Sequence, residues 1–449
     1  MDGGSAGLEV RFEGAADGSW PATWGQRTIW EPISWYAPDD HYFNIALTLA
    51  LRRPVPPADF AAVVRALLER HESLRTAYRL DAGGGLRQRL TAAGTLTVRL
   101  VEADAAQELA QVLEREAAAD KAVRFDLLGD GLPVRVTAVL AEGQVTGAVV
   151  TVAHIAADGT GAQVVLDDLR RLLAQQRRRP GVLPPPVPGR QPREQAAYES
   201  GPQATARSAA AVALWSRQLT GIPASLWPED AGPGEEVRWW EGELGCERLD
   251  LASRLAAVRT GTSASAVVLA ALGQELAERT GFAEVPLKVI LGNRVNEEQR
   301  TAVGAFAQNG LVVLGASGDF GELARKAWRA QLQTSRHGHY DPGALAEAVA
   351  AEEKRRGAAL DLNALFNDHR ETEHGAAAPD PAELTAAERG GFRWRSRWAR
   401  QDCRFFFGLG QHAGRTCATL LVDTRSVPAA EVEPLLRAVE ERVVAAAQA

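Results

Sequence analysis

The sequence predicts an α+β chain folded as two lobes of similar size, a pseudo-dimer with a cleft between them. Three observations carry this. Both halves mix hydrophobic patterns of period two with patterns of helical period. A stretch rich in proline and arginine separates the halves. The chain has 449 residues, and at about 100–200 residues per domain that suits two to three domains or one two-lobed architecture.

The elements follow in order. Ile45–Leu51 alternates apolar and polar positions and predicts a strand. Pro56 and Pro57 precede a helix with Phe60, Val63, Val64, Leu67 and Leu68 on one face. Thr95–Val101 predicts a strand and Ala105–Ala118 a helix. Pro133–Leu140 and Val145–Val152 are strands joined through Ala-Glu-Gly-Gln, a hairpin whose glycine supplies positive φ. The second of them runs into His154, and Gly159–Leu173 is helical beyond it. Arg177–Arg193 is proline- and arginine-rich, an extended linker with polyproline character. Residues 1–176 are therefore expected as the first lobe, 177–200 as the linker and 201–449 as the second lobe. In the second lobe Leu251–Val258, Ser263–Thr280, Gly321–Thr334 and Ala429–Ala447 predict helices. Val285–Leu291, Leu311–Leu314, Arg404–Gly410 and Thr416–Val422 predict strands.

Composition excludes several classes. The chain is 46% hydrophobic and 24% charged, as in an ordinary globular protein. A net charge of −7 argues against a nucleic-acid coat. Cys246, Cys403 and Cys417 are scattered, without CxxC spacing, which fits neither a disulfide framework nor a structural zinc. The N-terminus lacks a signal-peptide pattern, and apolar stretches such as Ala266–Leu272 are too short to span a bilayer. A cytoplasmic, reducing location is expected.

The sharpest local feature is Ala153-His154-Ile155-Ala156-Ala157-Asp158-Gly159. A histidine leaves the end of an apolar strand, a rigid place to mount a reactive group. Its neutral imidazole can accept a proton from an attacking amine or hydroxyl near neutral pH. Asp158 either touches that ring or points away and pairs with a buried arginine; the adjoining glycine turn favours the second. The plain alternative is a packed or solvated strand-end histidine.

This segment resembles the HHxxxDG motif of nonribosomal peptide synthetase condensation domains, and the shorter HxxxDG of the chloramphenicol-acetyltransferase-like acyltransferases. Other landmarks of that family stand in order. Thr23-Trp24-Gly25-Gln26-Arg27-Thr28-Ile29-Trp30 is similar to its first motif, and Arg70-His71-Glu72-Ser73-Leu74-Arg75-Thr76 to its second. Phe125-Asp126-Leu127 with Pro133-Val134-Arg135-Val136 resembles the approach to the central hairpin. Leu291-Gly292-Asn293-Arg294 and Val303–Asn309 resemble the G-x-x-x-R and G-x-F-x-N region. The resemblance spans roughly Trp20 to Val444.

The resemblance implies two chloramphenicol-acetyltransferase-like lobes in a V with a central tunnel, and His154 halfway along it. It implies a donor acyl thioester presented on the phosphopantetheine of an acyl or peptidyl carrier protein, and a free or carrier-bound amine or hydroxyl acceptor. No cofactor or metal is expected of the enzyme itself, and neither nucleic acid nor membrane as partner. His154 is the implied base or positioning group, with a backbone N–H near Gly159 steadying the oxyanion. Asp158 and Arg294 are the implied supporting ion pair, tying the lobes together. Asn309 and Asn367 are candidates to hydrogen-bond substrate, or merely to cap turns. Departures are visible. Ala153 replaces the first histidine of the motif, and the late motifs are poor matches, with Phe366-Asn367-Asp368-His369-Arg370 in their place. Heterocyclisation and epimerisation signatures are lacking. The chain ends where the domain ends, so a stand-alone enzyme acting in trans is expected. Two alternatives remain open: a non-catalytic recruitment domain, and an acyltransferase that takes acyl-CoA.

Among other residues, His71 ends a helix and is expected to be structural. His337-Gly338-His339 lacks the partners of a metal site, and His369 and His374 read as solvent-facing. Trp239-Trp240 is expected to pack rather than to stack on a ligand. Arg170, Arg171, Arg177, Arg178, Arg179, Arg190 and Arg193 form an acid-free run that either docks an acidic carrier or phosphate or is a solvated linker.

Overall fold

The computed structural model describes residues 7–104, 107–182, 184–185, 189–227, 233–370, 379–412 and 415–449. The chain divides into two compact units, Met1–Thr205 with Gly292–Ala307, and Ala206–Leu291 with Gln308–Ala449.

The first unit begins with strands β1 (Gly7–Glu13) and β2 (Gly18–Pro21) and helix α1 (Trp24–Tyr36). Thr23 and Gln26 form a reciprocal capping box at the start of α1, which satisfies two of its orphan amides. Then come β3 (Ile45–Val55), α2 (Pro57–Arg70), β4 (Thr76–Leu80), β5 (Leu86–Leu90), β6 (Ala93–Glu102) and α3 (Leu109–Lys121). They are followed by β7 (Val134–Ala141), β8 (Gln144–Val152), α4 (Gly159–Arg178) and α5 (Pro192–Glu199). Five strands form a sheet in the order β1-β6-β7-β8-β3, and three form a small sheet β2-β5-β4. The β7–β8 hairpin pairs Ala141 with Gln144, and Glu142 (φ 51°) and Gly143 (φ 72°) are both left-handed, as a two-residue turn of matching twist requires.

Helices cover both faces of the five-stranded sheet. The predicted stripe of α2 is wholly buried, with α4 beside it, against Val136, Ala138 and Val150. Burying each large side chain of that stripe stabilises by roughly 1.5–3 kcal/mol. On the other face Val112 and Leu113 of α3 meet Val139 and Val149. A Cβ on Gly147 would lie 3.1 Å from Leu113 and 3.2 Å from the Leu49 carbonyl, so glycine lets α3 pack closely there.

The second unit is built on α6 (Pro202–Leu219), whose first turn still belongs to the first unit, then β9 (Trp239–Gly245), α7 (Glu247–Thr260), α8 (Ala264–Thr280) and β10 (Glu284–Leu291). The chain passes through a short helix α9 (Glu297–Arg300), inside the 292–307 excursion into the first unit, and returns as β11 (Gln308–Gly315). The remainder is α10 (Phe320–Arg336), α11 (Pro342–Arg356), β12 (Ala364–Asp368), α12 (Pro381–Ala386), β13 (Phe392–Trp398), β14 (Phe405–His412), β15 (Arg415–Asp423) and α13 (Val432–Gln448). Its sheet runs β11-β10-β12-β14-β15-β9-β13. Residues from α7, α8, α10 and α13 form the main core with Phe366, Phe405 and Phe407. Among the described residues, no single helix is long and apolar enough to cross a membrane.

Two sequence expectations differ from the fold. The stretch read as a linker is partly helical: α4 continues to Arg178, and α5 starts at Pro192. Pro192 sits at N1, where its missing N–H is no loss, and α5 buries Gln195, Ala196 and Glu199. Glu199 accepts the Trp24 N–H at 2.7 Å, so α5 packs as part of the first unit. The unit boundary therefore falls at Thr205, and residues 292–307, assigned by sequence to the second lobe, cluster with the first.

Candidate active site

The His154 segment is a tight turn held from three sides. Strand β8 ends at Val152, and the Ala153 N–H donates to the Pro133 carbonyl at 2.9 Å. The Ala156 and Ala157 amides fold back onto the Ala153 carbonyl at 2.8 and 3.3 Å. Ile155, Ala156 and Ala157 are fully buried. The Tyr78 hydroxyl donates to the Ile155 carbonyl at 3.1 Å, and Ser73 Oγ donates to the Ala156 carbonyl. Ala153 packs with Ile155, Tyr78 and Phe125 in one apolar cluster.

That arrangement explains the Arg70–Thr76 segment. It supports the turn from behind. Arg70 and His71 both engage the buried Asp168 of α4, each at 3.1 Å. Glu72 pairs with Arg193 at 2.9 Å, and Ser73 grips the turn itself. His71 is thus a structural residue at the α2 C-terminus.

Asp158 points away from the imidazole and is saturated. Its Oδ1 accepts from the Gly161 N–H at 2.8 Å as the N-cap of α4 and from Arg294 Nη2 at 2.7 Å. Its Oδ2 accepts from the Phe306 and Ala307 amides at 2.9 and 3.2 Å. Arg294 also donates to the carbonyls of Ala302 (2.8 Å) and Gly304 (3.0 Å). The ion pair is almost wholly buried on both sides. Both partners lie in the first unit, so the pair anchors the 292–307 excursion inside that unit rather than linking one lobe with the other, as the sequence reading had it. Two glycines permit the close approach. A Cβ on Gly161 would stand 2.9 Å from the Gly304 carbonyl, and one on Gly25 2.1 Å from the Ala305 carbonyl.

His154 itself is half-buried, and its Nδ1 is buried without a hydrogen-bond partner. Burial pushes the imidazole below its ordinary pKa, offset in part by the residue's own backbone and, less, by the negative charge of Asp158. The ring is therefore neutral at pH 7 and able to accept a proton. Gly159 is exposed at the first position of α4, and a Cβ there would meet nothing within 4 Å. Its φ is not left-handed, so glycine here leaves room rather than making a turn. The first amides of a helix have no intrahelical acceptor; Asp158 takes that of Gly161, and those of Gly159 and Thr160 stand at the positive end of a 20-residue helix.

Asn309 and Asn367 belong to the second unit. Asn309 pairs with Ile290, and the Val289–Phe366 pairing puts Asn367 on the other flank of Ile290. The two thus share a row across β11, β10 and β12. Asn367 is buried, with Nδ2 2.5 Å from His369 Nε2. The Asn309 carbonyl accepts from the Tyr340 hydroxyl at 2.7 Å. Trp239 is buried, with its indole N–H on the Cys403 carbonyl at 2.9 Å. His374 lies outside the described residues. Among the described residues, no three His, Cys, Asp or Glu side chains gather as a metal set would. The sequence reading missed Ser73, Tyr78, Gly25 and Gly161 as supports of the site. Their only sequence signal was membership of, or proximity to, the motifs around 23–30, 70–76 and 153–159.

The family model of the condensation domain matches residues 18–388, and the chain belongs to that family, whose members are acyltransferases. The chain is 30% identical over 188 residues to the nonribosomal peptide synthetase acrB of Aspergillus aculeatus, which covers 42% of this chain and 11% of that protein. The chain spans about a tenth or less of the length of the curated relatives it matches. Among solved structures, it is similar to the condensation domain of the Monacolin K polyketide synthase MokA, with a TM-score of 0.72 at 15% identity over 97% of this chain and 98% of that one. It is also similar to a structure described as the basis for condensation domain-mediated chain release from the enacyloxin polyketide synthase, with a TM-score of 0.71 at 20% identity over 95% and 82% of the two chains. These likenesses show the fold, which is the chloramphenicol-acetyltransferase-like one.

Proposed function

We propose that this chain joins a carrier-bound acyl thioester to an amine or hydroxyl acceptor in natural-product biosynthesis, with His154 at the reacting centre. The acceptor N–H or O–H attacks the thioester carbonyl, and its proton passes to His154. The carbonyl oxygen becomes an oxyanion that the amides of Gly159 and Thr160 can receive. Collapse breaks the C–S bond, and the imidazolium returns the proton to the departing phosphopantetheine thiolate. The products are an amide or ester and a free thiol. The thioester is already activated, so positioning and one proton transfer supply most of what is needed. The observation that carries this is a neutral, half-buried imidazole on a rigid turn that runs directly into the N-terminus of α4.

The non-catalytic alternative drew on Ala153 and on the poorly matching late motifs, and the structure bears on the first of these. That residue is 1% exposed inside an apolar cluster, so an alanine here serves packing, and its presence does not speak for an idle site. The test is to load a carrier with an acyl group, add acceptor, and compare the protein with His154→Ala at matched melting temperature. Turnover undiminished in the variant would end the assignment. CoA thioesters offered in parallel separate the carrier-dependent from the CoA-dependent reading.

A further inference from the structure

The acid-free arginine run divides in the fold. Arg170, Arg190 and Arg193 are engaged with Asp167, Glu298 and Glu72. Arg171, Arg177, Arg178 and Arg179 are exposed, and no carboxylate among the described residues pairs with them. Gln176, in the last turn of α4, donates to Asp59 in the first turn of α2 at 3.0 Å. The α4 C-terminus therefore sits beside the β3–α2 corner, which carries the exposed and likewise unpaired Arg52 and Arg53. Arg177, Arg178 and Arg179 thus stand at the same end of the first unit as Arg52 and Arg53, with Arg171 two turns back along α4 and Asp59 the carboxylate at the corner, on a chain whose net charge is −7. Cations left unneutralised in that way raise the local potential, and a negative partner is drawn to them.

This corner is at the wrong end of α4 for substrate delivery. Arg177 lies eighteen residues beyond Gly159, and at 1.5 Å per residue the helix holds it about 27 Å from the His154 turn. A carrier seated there would have to reach along the whole helix before its thioester met the imidazole. We propose that the corner formed by the α4 C-terminus and the β3–α2 junction is a docking surface for an acidic segment of a partner protein, one that recruits this chain rather than handing it substrate. The chain's net charge of −7 disfavours a long polyanion such as nucleic acid, and a short cluster of exposed guanidinium groups suits a protein segment with several closely spaced carboxylates. Arginine forks bind such carboxylates two bonds at a time.

The test uses the full chain and a fluorescently labelled Asp/Glu-rich peptide. Saturable binding is expected. It should weaken at least about tenfold in Arg177→Glu/Arg178→Glu/Arg179→Glu, and fall as salt shortens the screening length. Arg259→Glu, an exposed arginine of the second unit, should change nothing. The milder triple change of the same arginines to Gln should give an intermediate loss and guards against helix unfolding. Turnover of a carrier-bound donor should stay unchanged in both triple variants. Equal binding by the charge-reversed triple would overturn the proposal. So would tighter binding of duplex DNA or anionic vesicles than of the peptide. A loss of carrier-dependent turnover in step with the loss of binding would make the corner a delivery surface and refute the recruiting role, without touching His154.

Discussion

Replacing Asp158 by alanine should unsettle the protein far more than it disturbs any chemistry. The carboxylate makes four hydrogen bonds, to Gly161 N, Arg294 Nη2, Phe306 N and Ala307 N. Removing it leaves the Arg294 guanidinium buried and unpaired, a loss of about 3–5 kcal/mol for a buried pair. The N-cap of α4 goes with it, adding about 1 kcal/mol. The sum, about 4–6 kcal/mol, rivals the whole stability of many domains. Urea unfolding followed by far-UV circular dichroism should show a much lower midpoint, or little folded protein at all. Arg294→Met should be similarly harmful, because it strands the carboxylate. The double variant Asp158→Asn/Arg294→Met should be less harmful than the sum of its singles, the signature of a coupled pair. Asp158→Ala protein that melts like the unmodified chain yet has lost all turnover would refute this reasoning, because the aspartate would then act in the reaction and not in the scaffold.

Other outcomes are expected. Gly161→Ala should destabilise by about 1–3 kcal/mol through overpacking, since its Cβ would press on the Gly304 carbonyl and on Arg294. Gly159→Ala, two residues earlier, should fold at least as well, because its methyl meets nothing within 4 Å; turnover then reads whether the space in front of α4 is used by substrate. Tyr78→Phe should cost about 1 kcal/mol and lower kcat more than it raises KM, by freeing the Ile155 carbonyl. Glu440 of α13 is fully buried, with neither carboxylate oxygen hydrogen-bonded, and burial raises its pKa. A raised folded pKa means protonation favours the folded state. The penalty is therefore absent below the unfolded value of about 4.3 and grows as pH rises through the folded pKa. Glu440→Leu should stabilise the protein at pH 7, with the gain shrinking toward pH 4; a gain constant with pH would contradict this.

Much of the local structure was legible because its patterns are short-range. The five apolar positions of α2 all lie in the core, and the Glu-Gly turn formed where two alternating runs met. The helix α8 was visible as the stretch Ser263–Thr280, and in the fold Ser263 caps it and Gly281 ends it. What stayed hidden depends on distant residues. The alanine-rich α6 and the short α5 carry little periodic contrast, and proline at N1 of α5 read as a break. The strand β13 (Phe-Arg-Trp-Arg-Ser-Arg-Trp) alternates, but its partner is β9, about 150 residues earlier. The return of residues 292–307 to the first unit has no local signature at all. It rests on Gly25 and Gly161, whose missing side chains matter only once the backbones meet. The site was legible to the same degree. The histidine and its aspartate stood out in one segment, whereas the amides that saturate Asp158 lie 148 and 149 residues away.

The role of His154 is tested most directly by single-turnover acyl transfer from a loaded carrier, measured across pH. The rate should rise along one acid limb with an apparent pKa below that of an ordinary histidine, as expected for a half-buried imidazole that must be neutral to work. In His154→Ala that limb should vanish, and the plateau should fall by about 10²–10⁴-fold. An identical limb and plateau in the variant would contradict the account.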